Sequence, residues 1–141
     1  MQLSNDDTIK YNAIKKIKAL FGDGKTFQYE NSQNTVTCEL SADGISVDCL
    51  GDSPFLPWAV FWQAVDIIIK EGGEAKPGKA IGKGIKLGSD ELPANSIEGY
   101  VAMTVYGKEE GISVFRRISP ITHLLIQSGI CEKNGQNLKL L

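Results

Sequence analysis

Residues 53–73, SPFLPWAVFWQAVDIIIKEGG, are the stretch against which the rest of the chain has to pack. They predict a helix, because Ser53 can cap the free amide groups and Pro57 suits a first turn, where a missing N–H costs nothing. Gly72 and Gly73 follow the last apolar residues and predict the end of the helix. We therefore take this helix as the centre of the fold.

The predicted helix is apolar on more than half of its circumference. At about 100° per residue, its apolar side chains cover roughly 220°, and Gln63, Asp66 and Lys70 share a narrow polar sector. The apolar side chains are Trp58, Val60, Phe61, Trp62, Val65, Ile67, Ile68 and Ile69. Such a helix has two buried sides, so layers from the preceding and the following residues are expected on its flanks.

The length and composition are typical of a single globular domain. The chain has 141 residues, of which 42% are hydrophobic, and a formal net charge of −2. It starts without the basic region and apolar run of a secretory signal, and its apolar runs fall short of the ~20 residues of a membrane span. We therefore expect a cytoplasmic protein without a membrane partner.

Charge is distributed unevenly along the chain. Residues 1–69 carry five lysines and nine acidic residues, whereas residues 70–141 carry ten lysines or arginines and eight acidic residues. The second half is therefore mildly basic, and it is the half in which contacts with a polyanion are expected.

Residues 5–21 predict an amphipathic helix that ends at Gly22. The lysines and Asn12 on its other side indicate a solvated face. Its apolar arc consists of Ile9, Ala13, Ile14, Ile17, Leu20 and Phe21.

Three strand-like segments follow and predict an antiparallel meander. A two-residue turn at Asp43 and Gly44 would supply the positive φ angles that suit a twisted hairpin between the last two segments. The apolar face of the meander is expected to be covered by the first helix and by one side of the 53–73 helix. The three segments are residues 25–30, 35–40 and 45–50.

The two-residue turn implies a register for this hairpin. It places Leu40 opposite Val47 and Cys38 opposite Cys49, whereas a shift by one residue would mix the apolar and polar faces. A disulfide between these two cysteines would be strained at such a hydrogen-bonded position, and a cytoplasmic protein would not keep it. Together with Cys131, they are predicted to be reduced, buried thiols.

Residues 71–95 contain six glycines, four lysines and two prolines, and they predict a loop with room for a short extended piece at 80–87. The segment after this loop fits two structures. Asn95 and Glu98 resemble a capping box and favour a helix over residues 96–106. Alternating apolar side chains in the same segment favour a strand, which would pair with residues 112–118.

The last part of the chain predicts a helix and a hairpin. Ser119 and Pro120 suit the start of the helix, as a cap and a first-turn proline. Residues 130–141 predict a short hairpin that turns at Asn134 and Gly135. The apolar stripe of the helix is Ile121, Leu124 and Leu125.

Matches to catalytic and nucleotide-binding motifs are weak. Residues 73–80 have the spacing of a phosphate-binding P-loop, but Ala80 stands where the magnesium-binding hydroxyl belongs. His123 is the only histidine, and it is expected to face solvent on the last helix. The cysteines and His123 also lack the spacing of a zinc site. We therefore predict no catalytic residue, cofactor or metal ion.

The order of elements in the second half resembles a winged helix-turn-helix domain. The helices would be residues 54–71, residues 96–106 and a segment from 113 or 119 to 128, and residues 130–141 would form the wing. In that family the third helix enters the major groove of DNA and the wing touches the backbone. By position, the resemblance implies nucleic-acid contacts from Arg116, Arg117, Ser119, Thr122, His123, Gln127, Lys133, Asn134 and Lys139.

We therefore expect one α+β domain over residues 1–141. An N-terminal helix and a three-stranded antiparallel meander (1–52) would pack on the central helix, followed by a winged-helix-like half with a C-terminal hairpin (53–141). The expected function is a non-enzymatic nucleic-acid-binding or regulatory module with duplex DNA as its partner. The alternative is an assembly module that homodimerises or binds a protein through strand edges and exposed aromatics such as Tyr100 and Tyr106.

Overall fold

The structure, a computed structural model, describes residues 4–32, 34–80 and 84–141. It has the α+β class that the sequence predicts, with helices and two antiparallel sheets. The helices are α1 (Asn5–Ala19), α2 (Trp58–Lys70), α3 (Ile97–Thr104) and α4 (Ile118–Gln127). The strands are β1 (Thr26–Asn31), β2 (Asn34–Leu40), β3 (Gly44–Val47), β4 (Phe55–Pro57), β5 (Glu74–Ala75), β6 (Cys131–Asn134) and β7 (Asn137–Leu140).

Helix α2 lies at the centre of the fold. It contacts α1 and α3, and strands β4, β5 and β7 also pack against it. The prediction of a helix with two buried sides is confirmed, because elements from both halves of the chain cover it. Its completely buried side chains are Val60, Phe61, Ala64, Val65 and Ile68.

The predicted start of α2 is wrong. The helix begins at Trp58, and Pro57 occupies the N-cap position instead of the first turn. Residues 55–57 form β4, which pairs with β3 through Leu56 opposite Ile45. The backbone N–H and C=O groups on the second edge of β3 need hydrogen-bond partners, which β4 provides. This pairing is a tertiary contact, so the helical pattern of the sequence does not indicate it.

The first sheet has four strands in the order β1-β2-β3-β4, and not the three that were predicted. The predicted hairpin register is also wrong. Leu40 pairs with Ile45 and Cys38 pairs with Val47, so the register differs from the predicted one by two residues. A shift of two residues keeps the same side chains on the apolar face, and the alternation pattern therefore could not exclude it.

Charge favours the register that the structure has. The predicted register would place Glu39 across from Asp48, which is an unfavourable pair of like charges. Instead Glu39 lies opposite Ser46, and Asp48 leaves the strand for a 3-10 turn. The Asp48 carboxylate accepts a hydrogen bond from the backbone N–H of Thr37 at 3.1 Å.

The same turn changes the environment of one cysteine. Cys49 is exposed, so its predicted burial is wrong, whereas Cys38 and Cys131 are buried as predicted and all three are free thiols. Burial raises the pKa of Cys38 and that of Cys131 to about 12. Both buried thiols therefore stay protonated at neutral pH.

Thiol titration should separate the three cysteines. In the native protein at pH 8, a disulfide reagent is expected to modify Cys49 first and to reach Cys38 and Cys131 only as the fold opens, because Cys49 is the exposed thiol. After denaturation without reductant, three thiols per chain are expected. A single thiol under those conditions would mean that a Cys38–Cys49 disulfide exists.

The second sheet has the order β5-β7-β6. The predicted C-terminal hairpin is confirmed, with Asn134 paired to Asn137 at its turn. Strand β5 lies in the stretch that was predicted to be loop, and it pairs with β7 through Ala75 opposite Leu138. Two residues are too short to give a strand pattern, so only the distant partner strand reveals β5.

The rest of the 71–95 segment carries a small core of its own. Leu87 and Leu92 are buried there against Ala102 of α3. The extended piece predicted at 80–87 includes residues 81–83, which lie outside the described residues. The segment is therefore attached to α3 and is not a plain solvated loop.

Helix α3 settles the ambiguity in residues 96–106, because the helical alternative forms and residues 112–118 contain no strand. The capping residue is Ser96, and not Asn95: the Ser96 hydroxyl accepts a hydrogen bond from the Gly99 N–H at 3.1 Å. Gly99 is required, because a Cβ atom there would collide with the carbonyl oxygen of Pro93.

Candidate nucleic-acid interface

The start of α4 is organised by a residue from another helix. The helix begins at Ile118, before the predicted Ser119, and Arg117 at the N-cap position provides no side-chain cap. The Glu98 carboxylate of α3 takes this role, because one of its oxygens accepts hydrogen bonds from the backbone N–H groups of Arg117 (2.8 Å) and Ile118 (2.6 Å). A carboxylate at a helix N-terminus is favoured by the helix dipole.

Glu98 is almost completely buried, with 1% of its surface exposed. Burial raises the pKa of Glu98 to about 7, although the two N–H donors and the charges of Arg117 and Arg116 act in the opposite direction. Its second oxygen, Oε1, has no hydrogen-bond partner among the described residues. The start of α4 is therefore held by a carboxyl group that exchanges its proton near neutral pH.

The Arg117 side chain packs on aromatic rings and is half-buried. Its guanidinium group lies 3.7 Å from the centre of the Tyr106 ring and 4.8 Å from that of Phe115. Such cation–π contacts hold the guanidinium in place when the site is partly desolvated. Arg117 therefore contributes to packing at the start of α4, which the sequence did not predict.

Arg116 and Ser119 line a surface cleft of about 390 Å³ between α4 and the end of the first sheet. Arg116 is exposed and Ser119 is half-buried. The cleft is also lined by Asn31, Cys49, Leu50, Gly51, Phe115 and Pro120. The structure thus brings together two of the predicted contact residues, and the guanidinium group of Arg116 is accessible to an anionic group.

His123 is half-buried, whereas it was predicted to face solvent. Its ring stacks on Tyr29 of β1 with the ring centres 4.5 Å apart and an interplanar angle of 16°. Burial, together with the nearby charge of Lys133, lowers the pKa of His123. The first sheet covers this side of α4. The sequence pattern shows which side of the helix is polar, but it does not show whether another element packs against that side. Thr122 is half-buried on the same helix.

The remaining predicted contact residues are exposed. Gln127 ends α4, Lys133 lies in β6 and Lys139 in β7. Lys133 is the residue whose charge acts on His123, so the hairpin lies beside the covered side of α4. Lys139 lies opposite Glu132 in the register of the hairpin.

A second cleft, of about 410 Å³, joins the hairpin turn to the lysine-rich segment. Lys76 and Lys79 are exposed on one of its walls, and Gln136 and Asn137 of the hairpin line another. Asp90, Glu91, Pro77, Gly78 and Pro93 complete the lining. The two acidic residues offset the two lysines, so this cleft is less cationic than its lysines alone suggest.

The central helix carries a buried ionic cluster that the sequence did not predict. Asp66 was assigned to a polar sector, but it is only 8% exposed, and Lys10 of α1 is 7% exposed. Their charged groups are 2.6 Å apart. Asp66 also contacts Lys70 at 3.0 Å and accepts a hydrogen bond from the Tyr100 hydroxyl at 2.6 Å. The cluster ties α1, α2 and α3 together.

Glu98 and Asp66 are the polar residues that sequence reasoning missed. Glu98 had a signal, since an acidic residue in an apolar helical turn is unusual, but it was assigned to a local capping box. Asp66 had none, because a polar residue in an amphipathic helix is most often solvated. The partners of Glu98 at the start of α4, and Lys10 and Tyr100 beside Asp66, lie on other elements.

Among residues 4–32, 34–80 and 84–141, no cluster of three or more His, Cys, Asp or Glu side chains could hold a metal ion. Nor does this part of the chain contain a helix with the length and apolar character that a bilayer crossing requires. Neither a protein-family model, nor a curated protein sequence, nor a solved structure matches the chain.

Proposed function

We propose that this protein is a non-enzymatic nucleic-acid-binding module of winged-helix type that holds duplex DNA mainly through phosphate contacts. The order of elements supports the proposal: α2, β5, α3, α4 and the β6–β7 hairpin follow one another, and β7 lies between β5 and β6 in the sheet. This order agrees with the helices and wing on which the resemblance rests. In such domains the wing contacts the DNA backbone.

The observation that carries the proposal is the position of exposed cations around α4. Arg116 is exposed at the start of the helix, and Lys133 and Lys139 are exposed on the hairpin. Phosphate contacts from arginine and lysine position a protein on a duplex and provide much of its affinity. Cations at the helix start and on the wing would contact separate phosphates.

The covered side of α4 determines the kind of binding. Because Tyr29 stacks on His123, this part of the helix cannot enter a major groove as a free reading surface. Ser119 and Gln127 remain as polar side chains near the two ends of α4. With few contacts to base edges, binding should depend weakly on sequence.

Binding is expected to weaken steeply with salt. If Arg116, Lys133 and Lys139 each neutralise about one phosphate, the affinity for a duplex of random sequence should fall roughly fortyfold between ~50 and ~200 mM salt, because each contact releases counterions. Fluorescence anisotropy with a labelled duplex measures this change. An absence of binding at ~50 mM salt would contradict the proposal.

Single substitutions locate the surface. Arg116→Ala and Lys133→Ala should each lower the salt slope by about 0.9 and leave the melting temperature unchanged, since each removes one exposed cation. Lys16→Ala, on the exposed side of α1, is the matched control and should bind as the wild type does. Arg117 is unsuitable for this test, because its loss would also disturb the packing on Tyr106. Full binding by a double variant of Arg116 and Lys133 would move the contact surface to the Lys76 and Lys79 cleft.

The alternative function, an assembly module, is supported by a different surface from the exposed tyrosines that the sequence suggested. Tyr100 and Tyr106 are half-buried, and the hydroxyl of Tyr100 is bonded to Asp66. An apolar groove of about 360 Å³ instead lies between α1 and the C-terminal residues. Its exposed apolar side chains are Ile9 (41%) and Leu141 (72%). Sedimentation velocity at rising protein concentration tests self-association, which Ile9→Glu should abolish; a monomer at every concentration would contradict the homodimer.

A further inference from the structure

Glu98 connects the protonation state of the interior to the cationic end of α4. Its carboxylate accepts hydrogen bonds from the N–H group of the N-cap residue and from that of the first helical residue, at 2.8 and 2.6 Å. Those N–H groups belong to Arg117 and Ile118, and Arg116 is the next residue back along the chain. Any change in this carboxyl group therefore acts directly on the backbone that carries both arginines.

The polar atoms around Glu98 are incompletely paired. Among the described residues, Glu98 Oε1, Arg117 Nε and the Tyr106 hydroxyl are buried and have no hydrogen-bond partner. An unpaired carboxylate oxygen in a buried site disfavours the charged form. The charged and titratable groups that face Glu98 are Arg117 and Arg116, which favour the carboxylate, and Tyr106.

We propose that Glu98 is a proton-sensitive positioning residue that sets the net charge at the start of α4, so that nucleic-acid binding through Arg116 strengthens as pH falls. The inference rests on the proposed function and adds its regulation. With Glu98 ionised, its charge compensates part of the charge of the two arginines. When Glu98 takes up a proton, this compensation is lost, while the neutral carboxyl group still accepts the helix N–H groups through an oxygen.

Anisotropy titrations at pH 6 and pH 8, at constant ionic strength, test this with a labelled duplex of random sequence. One additional effective cation should strengthen wild-type binding by at most roughly tenfold at pH 6 relative to pH 8. Glu98→Gln keeps the side-chain shape without the charge, so it should bind at pH 8 as the wild type does at pH 6. A Glu98→Gln variant that keeps the full pH dependence would overturn the inference.

The carboxyl titration is read on the wild-type protein and so does not depend on the folding of a variant. Carbon-13 NMR of the glutamate side-chain carboxyls should show one group with a midpoint near 7. A His123→Gln variant removes the only histidine of the chain, whose imidazole also gains charge as pH falls, and the ratio of its affinities at the two pH values should match that of the wild type. A ratio of one in this variant would assign the effect to His123 and overturn the inference.

The two proposals fail in different ways. Titration of every glutamate carboxyl at its ordinary value, with salt-dependent binding intact, would overturn the role of Glu98 and leave the proposed function standing. A midpoint near 7 without duplex binding at either pH would overturn the proposed function and, with it, the regulation that rests on it.

Discussion

Replacing Phe61 or Ile68 with alanine is expected to lower the free energy of unfolding by about 2–5 kcal/mol. Both side chains are completely buried on α2, the helix against which elements from both halves of the chain pack. Each substitution removes apolar contacts and leaves a cavity that the surrounding elements can fill only in part. For a domain of ordinary stability, the loss is a large fraction of the total.

Gln63→Ala is the matched control, because Gln63 lies on the same helix and is half-buried in its polar sector. Urea unfolding followed by circular dichroism gives the three free energies under one set of conditions. The control should change the unfolding midpoint far less than either core variant. Equal shifts for all three variants would show that the assigned faces of α2 are wrong.

Replacing Asp66 with alanine is expected to cost about 3–5 kcal/mol, because it leaves a buried charge without its main partner. Lys10 is 7% exposed, and its ammonium group is 2.6 Å from the Asp66 carboxylate. The remaining acidic neighbour, Asp7, is farther from that group, at 3.4 Å. The Tyr100 hydroxyl would lose its acceptor in the same substitution.

A double substitution distinguishes charge from packing. In Lys10→Met with Asp66→Leu, both charges are replaced by apolar side chains, which often restores stability when a buried ion pair is removed as a whole. Recovery of most of the loss would show that the uncompensated Lys10 charge causes it. Lys70→Ala should have a small effect, because 60% of the Lys70 side chain is exposed to solvent. If Lys70→Ala lowered the stability as much as Asp66→Ala, the main partner of Asp66 would be Lys70 and not Lys10.

The same cluster predicts acid sensitivity. Burial alone would raise the pKa of Asp66, but hydrogen bonds from Lys10, Tyr100 and Lys70 outweigh it and lower the pKa to about 2. Because the folded value lies below that of the unfolded chain, the cluster stabilises the protein above about pH 4, and this contribution is lost as pH falls towards 2. Glu98 acts with the opposite sign: its pKa is raised to about 7, so its contribution is lost as pH rises from about 4.5 through 7. In the Asp66→Ala variant, the loss in the free energy of unfolding between about pH 4 and 2 that Asp66 causes should be absent. The decrease between about pH 4.5 and 7 that Glu98 causes should remain.

The sequence by itself determined the elements whose signals are local. Helix α1, the apolar faces of α2, the stripe of α4 and the C-terminal hairpin all follow from periodicity and turn residues. Helix α3 was left between two structures, because its alternating apolar residues fit a strand as well as a helix. A cap at Ser96 and the close contact of Gly99 with Pro93 decided it.

Only the tertiary structure decided the features that depend on distant partners. Strands β4 and β5 exist because β3 and β7 have backbone groups to pair, and the register of the first hairpin was open to a two-residue shift that leaves the apolar face unchanged. The roles of Glu98 and Asp66 and the cover over His123 have the same origin. A sequence pattern records the polarity of each residue and its near neighbours, whereas burial of a charge and the partner that compensates it depend on which elements meet in space.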